Sequence, residues 1–176
     1  DNMNDNKKLT AISLFSGMGG DSLAMTNCGF KLVAYSEIIK TFRDTHELNF
    51  KQCKSIGAEV KHNIIKIKDK ELLDYKGKIN MIFAGFPCQG FSNAGKKDVN
   101  DPRNTLFREF LRTAKLIEPD YIIGENVKGL LSRKTTDNQN YIDVIVTEFK
   151  KLDYNVGYKV FKTHKYGIPQ KRERLV

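Results

Sequence analysis

Several absences narrow the reading of this 176-residue chain. It has only three cysteines, Cys28, Cys53 and Cys88, an odd number with no C-x-x-C spacing. That argues against a disulfide framework and against structural zinc. No apolar run approaches the roughly 18 residues needed to cross a bilayer. The first residues, DNMNDNKK, lack the apolar core of a secretory signal. There is no internal repeat and no long low-complexity stretch. The expectation is a cytoplasmic protein without a membrane partner or a bound metal, with free thiols and one real core.

Acid is also in short supply: 21 Asp and Glu stand against 30 Lys and Arg, for a net charge of +9. The surplus is uneven. Residues 150–176 hold Lys150, Lys151, Lys159, Lys162, Lys165, Lys171, Arg172 and Arg174 against Asp153 and Glu173, a local net charge of +6. A clustered basic surface suits a polyanion such as nucleic acid. A solvated lysine-rich face is the plainer alternative.

What is present is an alternation of strand and helix patterns. Leu9–Phe15 reads as a strand entering a Gly-rich turn, and Asp21–Cys28 as a short helix stopped at Gly29. Leu32–Tyr35 reads as a second strand and Ile39–Phe50 as a helix. Met81–Ala84 is wholly apolar, as in a buried strand. Leu106, Phe107, Phe110, Leu111, Ala114 and Ile117 recur at helical spacing, closed by Pro119. Tyr121–Ile123 reads as a strand, Tyr141 to Leu152 as a helix, and Tyr154–Phe161 alternates like a strand. Lys51–Lys78 shows no clear pattern. The alternation predicts an α/β fold with a mostly parallel sheet and helices on both faces. Ligands bind such sheets at the carboxyl ends of the strands.

Five places carry reactive or ligand-binding residues, four of them at a strand end. In LFSGMGGDS, Leu14–Ser22, glycines let the backbone approach a ligand, and a helix N-terminus follows. The sixth position is Ser22, so the dinucleotide fingerprint is not met, and no Walker G-K-[ST] follows. A nucleoside without a pyrophosphate fits, as does an ordinary tight turn. Glu37 follows the second strand about 20 residues after the glycines, where doubly wound folds bind ribose hydroxyls. In FAGFPCQGFSNAG, Cys88 sits where a strand ends and a long loop begins, a position for a reactive thiolate; Cys28 and Cys53 read as structural. Glu125 follows the strand YIIG, where burial could make a carboxyl a hydrogen-bond donor. In YGIPQKRERLV, Arg172 and Arg174 alternate, so an extended strand would present both on one face, suited to a phosphate and a base carbonyl.

Together these motifs resemble the cytosine-carbon-5 DNA methyltransferases. F-S-G-M-G-G is similar to the family's cofactor loop and G-F-P-C-Q-G-F-S to its nucleophile motif. G-E-N-V is similar to its glutamate motif, and Y-G-I-P-Q-K-R-E-R to its paired-arginine motif. The order matches, nearly the whole chain is covered, and the likeness is closest to the bacterial restriction–modification type. The resemblance implies a Rossmann-like fold, S-adenosylmethionine as cofactor and double-stranded DNA as partner, in the cytoplasm or nucleoid. It implies that Cys88 attacks carbon 6 of a flipped cytosine, that Glu125 holds the ring nitrogen and amine, that Arg174 binds the base carbonyl, and that Arg172 supports the loop or a phosphate. It places Phe15, Ser16, Gly17, Gly19, Gly20, Glu37 and Ile38 at the cofactor, with Asn63 and Ile64 at the adenine. Pro87 and Leu106 close that pocket. Gln89, Ser92 and Gln170 fall on the nucleic-acid side.

Two departures stand out. The family has Asp-Ile where this chain has Asn63-Ile64, so the adenine contact is uncharged. The family also continues beyond the paired arginines with a strand, a target-recognition region and a final cofactor-contacting segment. The expectation is a catalytic half, incomplete at its C-terminal end, with an unfilled gap between the Tyr154–Phe161 and Tyr121–Ile123 strands. Further residues or a second polypeptide would fill it. A tRNA cytosine methyltransferase and a non-catalytic cofactor- or DNA-binding module are the rival classes.

Overall fold

The computed structural model describes residues 8–87, 106–135 and 138–176. Cys88, Gln89 and Ser92 therefore lie outside the described residues. The chain divides into two compact units. One comprises residues up to Ala84 together with Leu116–Ile123; the other comprises Gly85–Lys115 and Gly124–Val176.

The first unit is built on a five-stranded sheet in the order β3-β2-β1-β4-β5. Its strands are β1 (Thr10–Leu14), β2 (Lys31–Ser36), β3 (Lys54–Ser55), β4 (Met81–Ala84) and β5 (Tyr121–Gly124). β1 pairs in parallel with β2 and with β4, and β2 in parallel with β3. The order reverses between β1 and β4, which makes that position the switch point of the sheet. Ala11, Ile12, Ser13 and Leu14 are all buried, as a central strand covered on both faces requires. Ala11, Met25, Leu32 and Met81 form a core cluster, closed by Phe30, Phe50, Cys53, Phe83 and Ile123.

Helix α1 (Gly20–Asn27) follows β1, and α2 (Lys40–Asn49) follows β2. The patternless Lys51–Lys78 region resolves into small pieces: β3, two 3-10 turns at Ala58–Val60 and Ile64–Lys66, and α3 (Asp69–Leu73). Two- to five-residue elements are too short to display a period.

The second unit has an aromatic core. Phe110 and Phe149 meet at 4.8 Å between ring centroids, and Phe86 lies 5.9 Å from Phe110. Phe107 stands edge-on to both Tyr141 and Phe149. These rings come from α4 (Leu106–Ile117), α5 (Tyr141–Lys150) and the segment after β4. A Cβ on Gly124 would meet Phe110 at 3.2 Å and Phe86 at 3.3 Å, so glycine lets the backbone pass close to the rings.

An antiparallel sheet completes this unit in the order β6-β8-β7: β6 (Asn126–Val127), β8 (Glu173–Leu175) and β7 (Val160–Lys162). Two expectations are corrected here. The strand read over Tyr154–Phe161 is β7 alone, starting six residues later, because its partner β8 is only three residues long. Tyr154 instead packs its ring edge-on against Phe149. The β7 side of the expected gap is paired from within the chain, whereas β5, the other strand expected to face it, stays at the edge of its sheet among the described residues. β8 lies between β6 and β7, and Val176 extends the pairing by exchanging backbone bonds with Lys159.

Candidate functional site

In the first unit, the turn after β1 is shaped by three positive φ angles and two backbone hydrogen bonds. Phe15 takes φ +56°, a left-handed conformation uncommon outside glycine and of the kind stored at functional sites. Gly17 (φ +54°) and Gly19 (φ +101°) follow the same hand. The Ser16 N–H donates to the Ser36 carbonyl at the end of β2 (3.0 Å), and the Gly19 N–H to the Ser16 carbonyl (3.0 Å). Beneath the turn, Ser13 Oγ and Ser16 Oγ are 2.5 Å apart, and Ser13 also donates to Asp21.

Glu37 is buried at the end of β2. Its Oε2 accepts from the Gly17 N–H and its Oε1 from the Ile39 N–H, both at 2.8 Å. The carboxylate thus ties the glycine turn to the segment after β2, 20 residues away. Arg43, unmarked by the sequence reading, donates from Nη1 to the carbonyls of Ile38 (2.6 Å) and Glu37 (3.1 Å). Its only signal was a cation one turn into α2. Ile38 is half exposed beside it, as is Met18 in the turn, so an apolar surface borders the carboxylate.

Asn63 caps the second 3-10 turn, where its Oδ1 accepts from the Ile65 N–H at 3.1 Å. An amide oxygen has a second lone pair, so this role does not consume its acceptor capacity. Ile64 is buried beside it, and Gly20 is the exposed first residue of α1.

His46, which the sequence reading also missed, supports the turn from below. It is fully buried and stacks on Tyr35 at 3.8 Å, and its Nε2 lies 2.8 Å from Ser22 Oγ. Its Nδ1 is buried without a hydrogen-bond partner. Burial lowers its pKa to about 4. A Cβ on Gly19 would come within 2.7 Å of Phe50 and 2.9 Å of His46, so these two rings add a steric demand for glycine to that of the positive φ.

In the second unit, Glu125 and Arg174 form an ion pair, Nε to Oε1, at 2.9 Å. Both side chains are roughly a third exposed or less, so they are accessible without being loose. Asn126 adds a contact that sequence reasoning did not assign. It is buried; its Nδ2 donates to the Phe86 carbonyl (2.8 Å), and its Oδ1 accepts from the Val127 N–H. It thereby anchors the backbone one residue before Pro87.

Arg172 lies just before β8 and is exposed. Its backbone N–H reaches the Gln170 carbonyl and Thr163 Oγ1, and its carbonyl accepts from the Thr163 N–H. Thr163 Oγ1 also donates to the Gln170 carbonyl, so this threonine closes the loop that carries Gln170 and Arg172. Leu106 and Pro87 are each half-buried in this unit. Of the other thiols, Cys28 is exposed, and burial pushes Cys53 up to about 12, which keeps it protonated and unreactive.

Among the described residues, no helix is long and apolar enough to cross a membrane.

Residues 9–176 match the model of the C-5 cytosine-specific DNA methylases. The chain is 38% identical over 165 residues to the type II methyltransferase M.FnuDI of Fusobacterium nucleatum, covering 93% of this chain and 44% of that protein. It is 37% identical over 173 residues to M.HhaI of Haemophilus parahaemolyticus, covering 96% and 49%. A crystal structure from E. coli, named provisionally as a prophage-encoded DNA modification methyltransferase, superposes with a TM-score of 0.77 at 27% identity, covering 96% of this chain and 45% of that one. The chain thus spans just under half the length of these relatives.

Proposed function

The chain belongs to the C-5 cytosine-specific DNA methylase family, and on that premise we propose that it is the catalytic portion of an enzyme that methylates carbon 5 of a cytosine flipped out of duplex DNA. The observation that carries the reading is the Glu125–Arg174 pair, beside an asparagine that anchors the backbone leading into Pro87-Cys88.

The turn after β1 fits a nucleoside cofactor. Its glycines leave room for close approach, and Glu37 presents a buried carboxylate bordered by the apolar surface of Ile38. In this reading, Phe15, Ser16, Gly17, Gly19 and Gly20 contact the methionine half, Glu37 and Ile38 the ribose and base, and Asn63 and Ile64 the adenine edge. Once bound, S-adenosylmethionine supplies the electrophilic methyl group that carbon 5 receives.

The chain's own residues do the rest. The Cys88 thiolate adds to carbon 6 of the cytosine, forming a C–S bond and shifting an electron pair toward carbon 5. Glu125 holds the ring nitrogen and the exocyclic amine, stabilising charge as the thiolate adds. Arg174 keeps Glu125 in place and offers its remaining donors to the base carbonyl. Loss of the carbon 5 proton re-forms the double bond and expels the thiolate. Arg172 and Gln170, on the loop closed by Thr163, face the nucleic acid with Gln89 and Ser92. A target-recognition region and a final cofactor-contacting segment come from outside these 176 residues, on the same polypeptide or on a second one. The coverage of just under half of the relatives supports that division.

Methyl transfer from labelled cofactor to duplex DNA and to tRNA, using the full-length protein, tests the reading. DNA is expected to be labelled, with a covalent adduct to 5-fluorocytosine DNA formed through Cys88. Label on tRNA alone, or full activity in Cys88→Ala, overturns it.

A further inference from the structure

The antiparallel sheet of the second unit carries a cleft of about 520 Å³ that the proposed chemistry leaves unused. Its wall includes Lys128, Lys162, His164, Lys171, Glu173 and Arg174. These residues come from separate stretches of chain, brought together by the β6-β8-β7 pairing rather than by sequence.

The charges are arranged, not merely gathered. Glu173 sits on the central strand, and its two carboxylate oxygens take one lysine each. Oε2 accepts from Lys128 Nζ at 2.8 Å, and Oε1 lies 3.3 Å from Lys162 Nζ. Hydrogen bonds from Lys128 and then Lys162 hold the Glu173 carboxyl below its ordinary range, so it stays ionised at neutral pH. One carboxylate neutralises one ammonium. With Lys171 added, and Arg174 committed to Glu125, the cleft keeps a surplus of about two positive charges. An ammonium has three donors, and each lysine spends one on Glu173, leaving two for an anion. The backbone under both lysines is fixed: Lys162 is the β-ladder partner of Glu173, and Lys128 directly follows β6.

Arg174 belongs to both places. It lines the cleft and pairs with Glu125. An anion held in the cleft therefore lies next to the group proposed to hold the target base.

We propose that this cleft seats the sugar–phosphate backbone of DNA beside the target nucleotide, with Lys128 and Lys162 as a two-pronged phosphate fork held open by Glu173. The inference rests on the reading of the protein as a DNA methyltransferase. Phosphate contacts of this kind set register and orientation without reading sequence.

The test is the salt dependence of duplex DNA binding by the full-length protein. Each phosphate contact contributes about 0.9 to the slope of log K against log salt. Lys128→Ala and Lys162→Ala should each reduce the slope by about that amount, and the double variant by about twice it, with cofactor affinity unchanged. Both side chains are about half exposed, so neither variant should impair folding. Lys70→Ala, an exposed charge-matched control in α3 of the first unit, should leave the slope alone. Wild-type slopes in both lysine variants, with DNA methylation intact, overturn the cleft assignment alone. A wild-type protein that binds tRNA but not duplex DNA overturns the methyltransferase reading, and this inference with it.

Discussion

Arg174 Nε stands 2.9 Å from Glu125 Oε1, joining two residues 49 positions apart in the chain. The pair is partly exposed, so its contribution to stability is small, on the order of 1 kcal/mol or less. Its expected weight is in catalysis. Glu125→Gln keeps the shape but removes the charge that holds Arg174 and, in the proposed reaction, the cytosine amine. Single-turnover methyl transfer should fall by about 10²–10³-fold, the usual effect of losing one preorganised stabilising group. The thermal midpoint should barely move. A near-normal rate would remove Glu125 from the reacting centre.

Glu37 should be read through two assays at once. Its carboxylate accepts from two backbone N–H groups, so Glu37→Ala leaves both donors without this partner. Cofactor affinity is expected to fall by roughly 1.5–3 kcal/mol by calorimetry, the range for a hydrogen bond to a charged group. The unliganded protein should also melt earlier. Unchanged affinity together with a lowered melting point would make Glu37 a purely structural clasp.

Gly17 and Gly19 both have positive φ but should respond differently to alanine. A Cβ on Gly17 meets nothing within 4 Å, so Gly17→Ala carries mainly the left-handed backbone cost of about 1–2 kcal/mol. A Cβ on Gly19 collides with the rings of Phe50 and His46, so Gly19→Ala should be clearly the more destabilising. Chemical denaturation of the two variants checks the ranking, and equal losses would mean that the rings simply move aside.

His46 gives the protein an acid limb. Its folded pKa is about 4 against 6.5 for a free histidine, chiefly because burial penalises the charged ring. The geometry agrees: a protonated ring would need a partner at Nδ1, and none is there. Above pH 6.5 the group contributes no pH dependence. As pH falls from 6.5 toward 4 the unfolded chain takes up the proton first, so stability declines, by up to about 3 kcal/mol in total. His46→Phe gives up the bond to Ser22 but should flatten this part of the melting-point profile. An equally steep decline in the variant would assign the acid limb to other groups.

The glycine turn, Glu37 and Glu125 stood out in the sequence as candidates because each closely follows a strand, β1, β2 or β5. Met81–Ala84 and Leu106–Ile117 emerged with the expected bounds, since four apolar residues in a row and a sustained helical period are strong local signals. Lys51–Lys78 was opaque because its elements are shorter than the period needed to recognise them. The Tyr154–Phe161 alternation misled because alternation reports a capacity to pair, whereas strand length is set by the partner, here three residues of β8.

The amino-acid sequence by itself determined which chemical groups are present, in what order, and at which strand ends. The tertiary structure alone decided what those groups touch. The bond from Asn126 to the Phe86 carbonyl spans 40 residues, and the clasp from Glu37 to Gly17 spans 20. Glu173 lies 45 residues from one of its lysines and 11 from the other. Periodicity carries information only over the few residues of a turn or a pleat. Contacts between distant residues exist only once sheet register and loop closure have fixed where each backbone segment runs.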